Sequence, residues 1–270
     1  MKMTGNTILI TGGTSGIGLE LATQLSQRKN TVIITGRHSA TFNEITKNVP
    51  NIHTYQSDVS DPEAISLLYQ NVTHDFPALN VVINNAGIMR MLSLNNKNGL
   101  QDIGQEIEIN LLGPVRMVEQ FLPYLKMKPN AVLVNVSSGL AFVPLASAPI
   151  YCATKAGIHS YTQSLRVQLQ GTSVKVFEVA PPSTSTPLLD NFGSDASTRS
   201  SWGVMNVDKM VCVTMKGLES DTYEIRPGSS NVLMLMSRLA PAFMLGQLSK
   251  PVAKELAKAQ RAEVRAESNA

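Results

Sequence analysis

Thr7-Ile8-Leu9-Ile10-Thr11-Gly12-Gly13-Thr14-Ser15-Gly16-Ile17-Gly18 decides the fold of this chain. Thr7 to Thr11 is a short apolar run rich in β-branched residues, the pattern of a buried parallel strand. Three glycines follow at Gly12, Gly16 and Gly18, and helical spacing then runs from Gly16 to Lys29, with Ile17, Leu21 and Leu25 on one face. A strand, a glycine turn and a helix in that order make an anion site. Backbone amides approach a pyrophosphate where no Cβ intervenes, and the helix start presents its unpaired N–H groups and positive dipole end. The spacing G-x-x-x-G-x-G is one residue wider than the dinucleotide fingerprint G-x-G-x-x-G, so the turn is broader.

The alternation continues outward. Strands are expected over Thr31–Thr35, Ile52–Tyr55, Leu79–Ile83, Ala131–Val136, Val174–Val179 and Tyr223–Ile225. Helices are expected around Ala40–Asn48, from Asp61 onward with Asp61 as N-cap and Pro62 at the first position, and over Ile103–Lys126, Ile150–Gln170 and Val207–Gly217. Strands separated by helices imply parallel pairing with right-handed crossovers. The fold class is therefore α/β: a single-domain, Rossmann-like, doubly wound parallel sheet of about seven strands with helices on both faces. Residues 1–249 form the expected dinucleotide-binding catalytic domain. Within it, 183–205 reads as a substrate lid and 229–249 as an apolar helical segment; 250–270 is a charged tail.

Composition sets the class. The chain has 270 residues, 43% of them hydrophobic, enough for a large core. A net charge of +3 is too mild to imply nucleic acid, and 5% aromatic residues give no stacking platform for single strands. Cys152 and Cys212 show no metal-ligand spacing, so no metal is expected and both thiols read as reduced, in a cytoplasmic protein. No secretory signal is apparent at Met1–Asn6, and no run reaches the roughly 18 apolar residues of a membrane span.

The end of the second strand selects the cofactor. An acidic residue there would hold a ribose 2′-hydroxyl; Gly36-Arg37-His38 stands instead. A guanidinium suits a 2′-phosphate, which favours NADP over NAD. Asp58 has two readings, a partner for the adenine amino group or a cap for the next helix. Tyr151 and Lys155, spaced Y-x-x-x-K, fall on one helical face. They pair a proton donor with a cation expected to lower its pKa.

In this set the chain resembles the short-chain dehydrogenase/reductase superfamily, across about residues 5–228. The resemblance rests on T-G-G-T-S-G-I-G at 11–18, Asp58-Val59, Asn84-Asn85-Ala86-Gly87, Asn110, Ser138 and Tyr151-x-x-x-Lys155, with Ser138 thirteen positions before Tyr151. Within the superfamily it is similar to bacterial DltE-like oxidoreductases, through N-N-A-G-I-M-R, Y-E-I-R-P-G and M-S-R-L-A-P. The resemblance implies a catalytic set of Asn110, Ser138, Tyr151 and Lys155, with Asn110 bending its helix and holding a relay water. It implies cofactor contacts at Gly12, Thr14, Ser15, Gly16, Ile17, Gly18, Arg37, Asp58, Val59, Asn85, Ala86, Gly87, Tyr151, Lys155, Pro181, Thr184 and Thr186. A homodimer or homotetramer is expected, because symmetric oligomers are common.

One departure stands out. The superfamily usually carries Pro-Gly after the sixth strand, and this chain has Pro181-Pro182. Proline fixes φ and lacks an N–H, so the loop must take another path or donate fewer amides.

The activity implied is carbonyl–alcohol interconversion by hydride transfer at nicotinamide C4. An isomerase or epimerase using the same cofactor, or a non-catalytic nucleotide-binding scaffold of the same fold, are the competing readings. Apolar residues 139–150 are expected to floor a pocket for a partly hydrophobic carbonyl or alcohol. Trp202 is either a clamp on the substrate or core packing. The Met-rich stretch 232–248 is a lid, an inter-subunit helix or a membrane-surface contact.

Overall fold

A computed structural model gives the architecture and describes residues 1–94, 99–190, 203–250 and 252–253. Seven strands form one parallel sheet in the order β3-β2-β1-β4-β5-β6-β7. They are β1 (Thr7–Ile10), β2 (Thr31–Gly36), β3 (Ile52–Gln56), β4 (Leu79–Asn84), β5 (Ala131–Val136), β6 (Val174–Val179) and β7 (Glu224–Ile225). The seven expected strands are all present, within a residue or so at each end.

Each strand feeds both layers of core because side chains alternate along it. Ile8 and Ile10 of β1 face one layer, with Leu21 and Leu25 of α1 (Gly16–Gln27) and Met210 and Met215 of the Val207–Glu219 helix. Leu9 between them faces the other. There it meets Leu68 and Val72 of α3 (Pro62–Asp75), Phe121 of α5 (Gly113–Lys126) and Leu165 of α6 (Pro149–Gln168). Burial of such side chains at roughly 25 cal/mol per Å² is what holds helices on both faces. Of the remaining helices, α2 is Phe42–Asn48, α4 Leu100–Ile107, α7 Pro187–Asp190, α8 the Val207–Glu219 helix just named, α9 Ser230–Leu239 and α10 residues 241–250.

The long helix expected over Ile103–Lys126 is interrupted. A π turn over Glu108–Leu112 joins α4 to α5 and carries Asn110. Pro114 supplies the physical reason: it has no N–H for the Asn110 carbonyl four residues earlier. The apolar C-terminal segment is two helices, α9 and α10, separated at Ala240 before Pro241. Leu233 and Met244 turn inward onto Val143, while Leu235, Leu239 and Phe243 are exposed. No helix among the described residues is long and apolar enough to cross a membrane. Much of the expected lid, including Trp202, and nearly all of the 250–270 tail lie outside the described residues.

Candidate active site

The strand order reverses between β1 and β4, which lie side by side although β2 and β3 come between them in sequence. Carboxyl ends of the strands at such a switch point diverge and leave a crevice. A cavity of about 690 Å³ opens there.

At one end of the cavity sits the glycine turn. Gly12 has φ +64°, and a Cβ on it would stand 2.8 Å from the Ala86 backbone. The Asn85 amide pins the turn, donating to the Thr11 and Gly12 carbonyls at 3.0 Å each, while Thr11 Oγ1 accepts from the Asn85 and Ala86 amides. Gly18 stands behind the turn, off the cavity wall. A Cβ there would lie 2.2 Å from the Gly12 carbonyl oxygen, so Gly18 sets how closely α1 approaches the turn. Gly12, Thr14, Ser15, Gly16 and Ile17 line the wall. This is a cradle that side chains would fill, and its residues fit a dinucleotide pyrophosphate.

Arg37 is exposed and lines the same cavity beside Asp58 and Val59. Asp58 Oδ1 accepts from the Ser60 amide and hydroxyl at 2.9 and 2.7 Å, while the α3 cap is Asp61, which accepts from the Glu63 amide. The two readings of Asp58 thus separate: helix capping belongs to Asp61.

At the far end the cavity is walled by Ala86, Gly87, Ser138, Tyr151 and Lys155. Ser138 lies two residues past the end of β5 and caps a short 3-10 turn, its hydroxyl accepting from the Leu140 amide at 3.1 Å. Tyr151 and Lys155 are one turn apart on α6, and the ammonium lies 5.7 Å from the phenol ring centre. The Ser138 hydroxyl stands near enough to the Tyr151 phenol to favour its ionised form. Lys155 Nζ donates to the Val136 carbonyl at 2.9 Å.

The acid strength of this pair differs from the sequence expectation. Burial dominates and pushes the Tyr151 phenol up to about 12; the Ser138 hydroxyl works against it, and nearby Cys152 and Glu106 add to it. Burial pulls Lys155 down to about 8. Desolvation disfavours both charged forms, so the ammonium's pull on the phenol is not the governing effect among these protein groups alone.

Asn110 is fully buried and not on the cavity wall. Its side-chain amide donates to the Ile88 carbonyl and its oxygen accepts from the Ile88 amide, both at 2.8 Å, with Thr154 Oγ1 at 3.3 Å. The side chain therefore locks the irregular segment after Gly87 to α6. A Cβ at Gly87 would meet Asn110 Oδ1 at 3.2 Å and Lys155 Nζ at 3.5 Å, which marks where the two residues converge.

Pro181, Thr184 and Thr186 line the cavity. After Pro182 the Ser185 amide donates to the Met205 carbonyl and the Met205 amide to the Ser183 carbonyl, in a small bridge.

Two buried carboxylates and a half-buried histidine were not singled out from sequence. Glu106 has no exposed surface; its carboxylate accepts from the Arg90 amide at 3.0 Å, with Arg90 Nε at 3.6 Å, and burial raises its pKa. Glu178 and His159 pair behind β5. The only signal was charged residues at positions patterned as core. His159, Glu178 and Glu224 offer ligand atoms within 4.8 Å of one another. Glu224 is already matched by Arg226 at 2.8 Å, and Glu178 by His159 at 2.9 Å.

A sheet reversing beside a glycine turn, with serine, tyrosine and lysine on one cavity wall, defines a nicotinamide-dinucleotide oxidoreductase. The family model of the short chain dehydrogenases matches residues 6–197, and the chain belongs to that family. It is 49% identical over 191 residues to the uncharacterized oxidoreductase DltE of Bacillus subtilis, covering 70% of this chain and 75% of that protein. It is 29% identical over 175 residues to the NADP-dependent 3-hydroxy acid dehydrogenase YdfG of Shigella flexneri, covering 64% and 71%. In fold it matches a short chain dehydrogenase from Burkholderia cenocepacia in complex with NADP, with TM-score 0.78 and 23% identity over 92% of this chain and 99% of the other. A second match, from Burkholderia phymatum in complex with NAD, has TM-score 0.78 and 18% identity over 88% and 95%. The protein is an NAD(P)-dependent short-chain dehydrogenase/reductase.

Proposed function

We propose that this chain is an NADP(H)-dependent reductase of carbonyls, or dehydrogenase of the matching alcohols, with Tyr151 as the acid and base. The observation that carries the reading is one continuous cavity, with the glycine turn and Arg37 at one end and Ser138, Tyr151 and Lys155 at the other. Bound in the cradle, the dinucleotide supplies or accepts the hydride at nicotinamide C4. Ser138 holds the substrate oxygen, and Tyr151 protonates it in the reductive direction. A phenol kept neutral by burial is ready to donate; a positive charge brought into the site then favours the phenolate left behind. Lys155 supplies part of that charge from one helical turn away. Pro114 leaves the Asn110 carbonyl without its ordinary helical donor, which suits it to accept from a relay water.

Arg37 carries the preference for the 2′-phosphate, as a basic group on the cavity wall where β2 ends. Met89, Leu140, Leu145, Leu188 and Leu233 line the rest, so the substrate is partly hydrophobic. The catalytic unit spans residues 1–249.

A panel of aliphatic and aromatic ketones and aldehydes, offered with NADPH and with NADH and followed by nicotinamide absorbance, tests this. Turnover with at least one carbonyl, faster with NADPH, is expected. A chain that binds the dinucleotide tightly yet turns over no carbonyl or alcohol would overturn it.

A further inference from the structure

Glu178 is a carboxylate with 1% exposure, between Phe177 and Val179 on β6, and the chemistry proposed above makes no use of it. A buried carboxylate costs several kcal/mol unless it is matched by donors. It is matched here on two sides. Ser137 Oγ donates to Glu178 Oε1 at 2.5 Å. His159 Nδ1 lies 2.9 Å from Oε2 and 3.0 Å from Oε1.

The partners stand on the two elements that carry the reacting groups. Ser137 and Ser138 follow β5 directly, after Val136. His159 is one turn beyond Lys155 and two beyond Tyr151 on α6. The hydrogen-bond chain Ser137–Glu178–His159 therefore ties the strand end bearing Ser138 to the helix bearing Tyr151 and Lys155. Backbone bonds already fix the height of the strand end, from the Ser137 amide to Val179 and from the Gly139 amide to Pro181, both at 2.8 Å. They hold β5 to β6 and leave its setting against α6 to side chains.

The surroundings hold the tie in place. Phe142 packs edge-on to the His159 ring at 5.0 Å, and Gln163 lies 3.1 Å from His159 Nε2. Glu224 and Arg226 from β7 and its exit, with Arg166 from α6, close the outer side. The Glu178 hydrogen bond draws His159 toward imidazolium against the opposing effect of burial.

We propose that Glu178 is a positioning residue, acting through Ser137 and His159 to set the distance between the Ser138 hydroxyl and the Tyr151 phenol. This rests on the reading of Ser138 and Tyr151 given above. Displacements of about 1 Å in such an arrangement can cost on the order of 10²-fold in rate.

The test uses the full chain and the variants Ser137→Ala, Glu178→Leu and Glu178→Gln. Glutamine keeps an oxygen for Ser137 and offers an N–H to His159 Nδ1 in its other tautomer. Ser137→Ala and Glu178→Leu should lower kcat by about 10–10²-fold with KM and cofactor affinity little changed, and Glu178→Gln should recover most of the loss. The second readout needs no turnover: with tyrosine labelled at ¹³Cζ and Tyr151→Phe for assignment, the Tyr151 resonance reports the surroundings of its hydroxyl. It should move in Ser137→Ala and Glu178→Leu in the direction seen for Ser138→Ala, and return in Glu178→Gln. If Glu178→Leu does not fold, Ser137→Ala and Glu178→Gln decide alone. A Tyr151 resonance and kcat unmoved by Ser137→Ala, or displaced by Glu178→Gln as far as by Ser138→Ala, overturn the proposal. A wild-type chain that reduces no carbonyl removes the proposed function instead and leaves the resonance test standing.

Discussion

Lys155 Nζ donates to the carbonyl of Val136 at 2.9 Å, fastening the middle of α6 to the last residue of β5, two positions before Ser138. The ammonium is 4% exposed, and its partner is a neutral carbonyl rather than a carboxylate. The bond orients Lys155 without cancelling its charge. Its positive charge remains available to a phenolate, and the cost of burying it appears as a pKa pulled down to about 8.

That depressed value sets a pH limit. Lys155 is charged below about pH 8 and neutral above it. Reductive kcat/KM should be level at lower pH and fall above about 8, approaching tenfold per unit. Stability moves the other way. The unfolded lysine holds its proton up to 10.5, so between about 8 and 10 the unfolded state binds more protons and wild-type stability rises with pH. Relative to Lys155→Met, the wild type should gain up to roughly 1.4 kcal/mol per pH unit across that window, as read by urea unfolding. A parallel pH dependence in the two proteins would show that Lys155 does not titrate there.

Tyr151 tests the chemical step. Tyr151→Phe keeps the ring that packs with Met89, Ala148 and Cys152 and removes only the hydroxyl. Loss of a positioned acid costs on the order of 10²–10⁴-fold, so kcat should fall by that much while NADPH affinity by fluorescence titration stays level. Turnover close to wild type would take Tyr151 out of the mechanism.

The strands, the glycine turn and the Ser-Tyr-Lys set are legible in the sequence because each is local: a β-branched run, a spacing of glycines, two residues one helical turn apart. What resists reading is carried by tertiary placement. The π turn at Asn110 needs Pro114 and the buried bonds to Ile88 together, and helical periodicity alone runs straight through it. Burial of Tyr151 and Lys155 is also tertiary, so an argument from the pair alone predicts a lowered phenol pKa where desolvation raises it. Glu106, His159 and Glu178 stand at positions patterned as core, but a linear reading does not say what would match their charge; only the fold shows that the two carboxylates are enclosed and bonded.

Arg37 tests cofactor choice. It is exposed where β2 ends, with its backbone carbonyl held by Gln56 at 2.9 Å, so the side chain is free to change without disturbing the strand. Arg37→Asp replaces a fork of donors by an acceptor pair suited to ribose hydroxyls. The NADP/NAD ratio of kcat/KM should fall by about 10–10²-fold, a change of roughly 1.4–2.7 kcal/mol. An unchanged ratio would make Arg37 a surface charge with no part in recognition.

Gly18 tests whether the cradle depends on close packing behind it. A methyl group at that position would lie 2.2 Å from the Gly12 carbonyl oxygen and 2.5 Å from the Asn85 amide nitrogen. Both are held atoms: Asn85 bridges Thr11 and Gly12, and the turn follows a fully buried strand. Relief therefore requires α1 to move away from β1 or the Asn85 bridge to break. Gly18→Ala should lose about 1–3 kcal/mol of stability through this overpacking, although alanine is the better helix former by about 1 kcal/mol. It should also weaken dinucleotide binding by about tenfold or more, because α1 carries the amides that would face the pyrophosphate. Thermal unfolding with and without NADPH separates the two effects: the variant should melt lower and gain less from the cofactor than the wild type. A variant that melts like the wild type and is stabilised equally would mean that the turn yields to the methyl group at little cost.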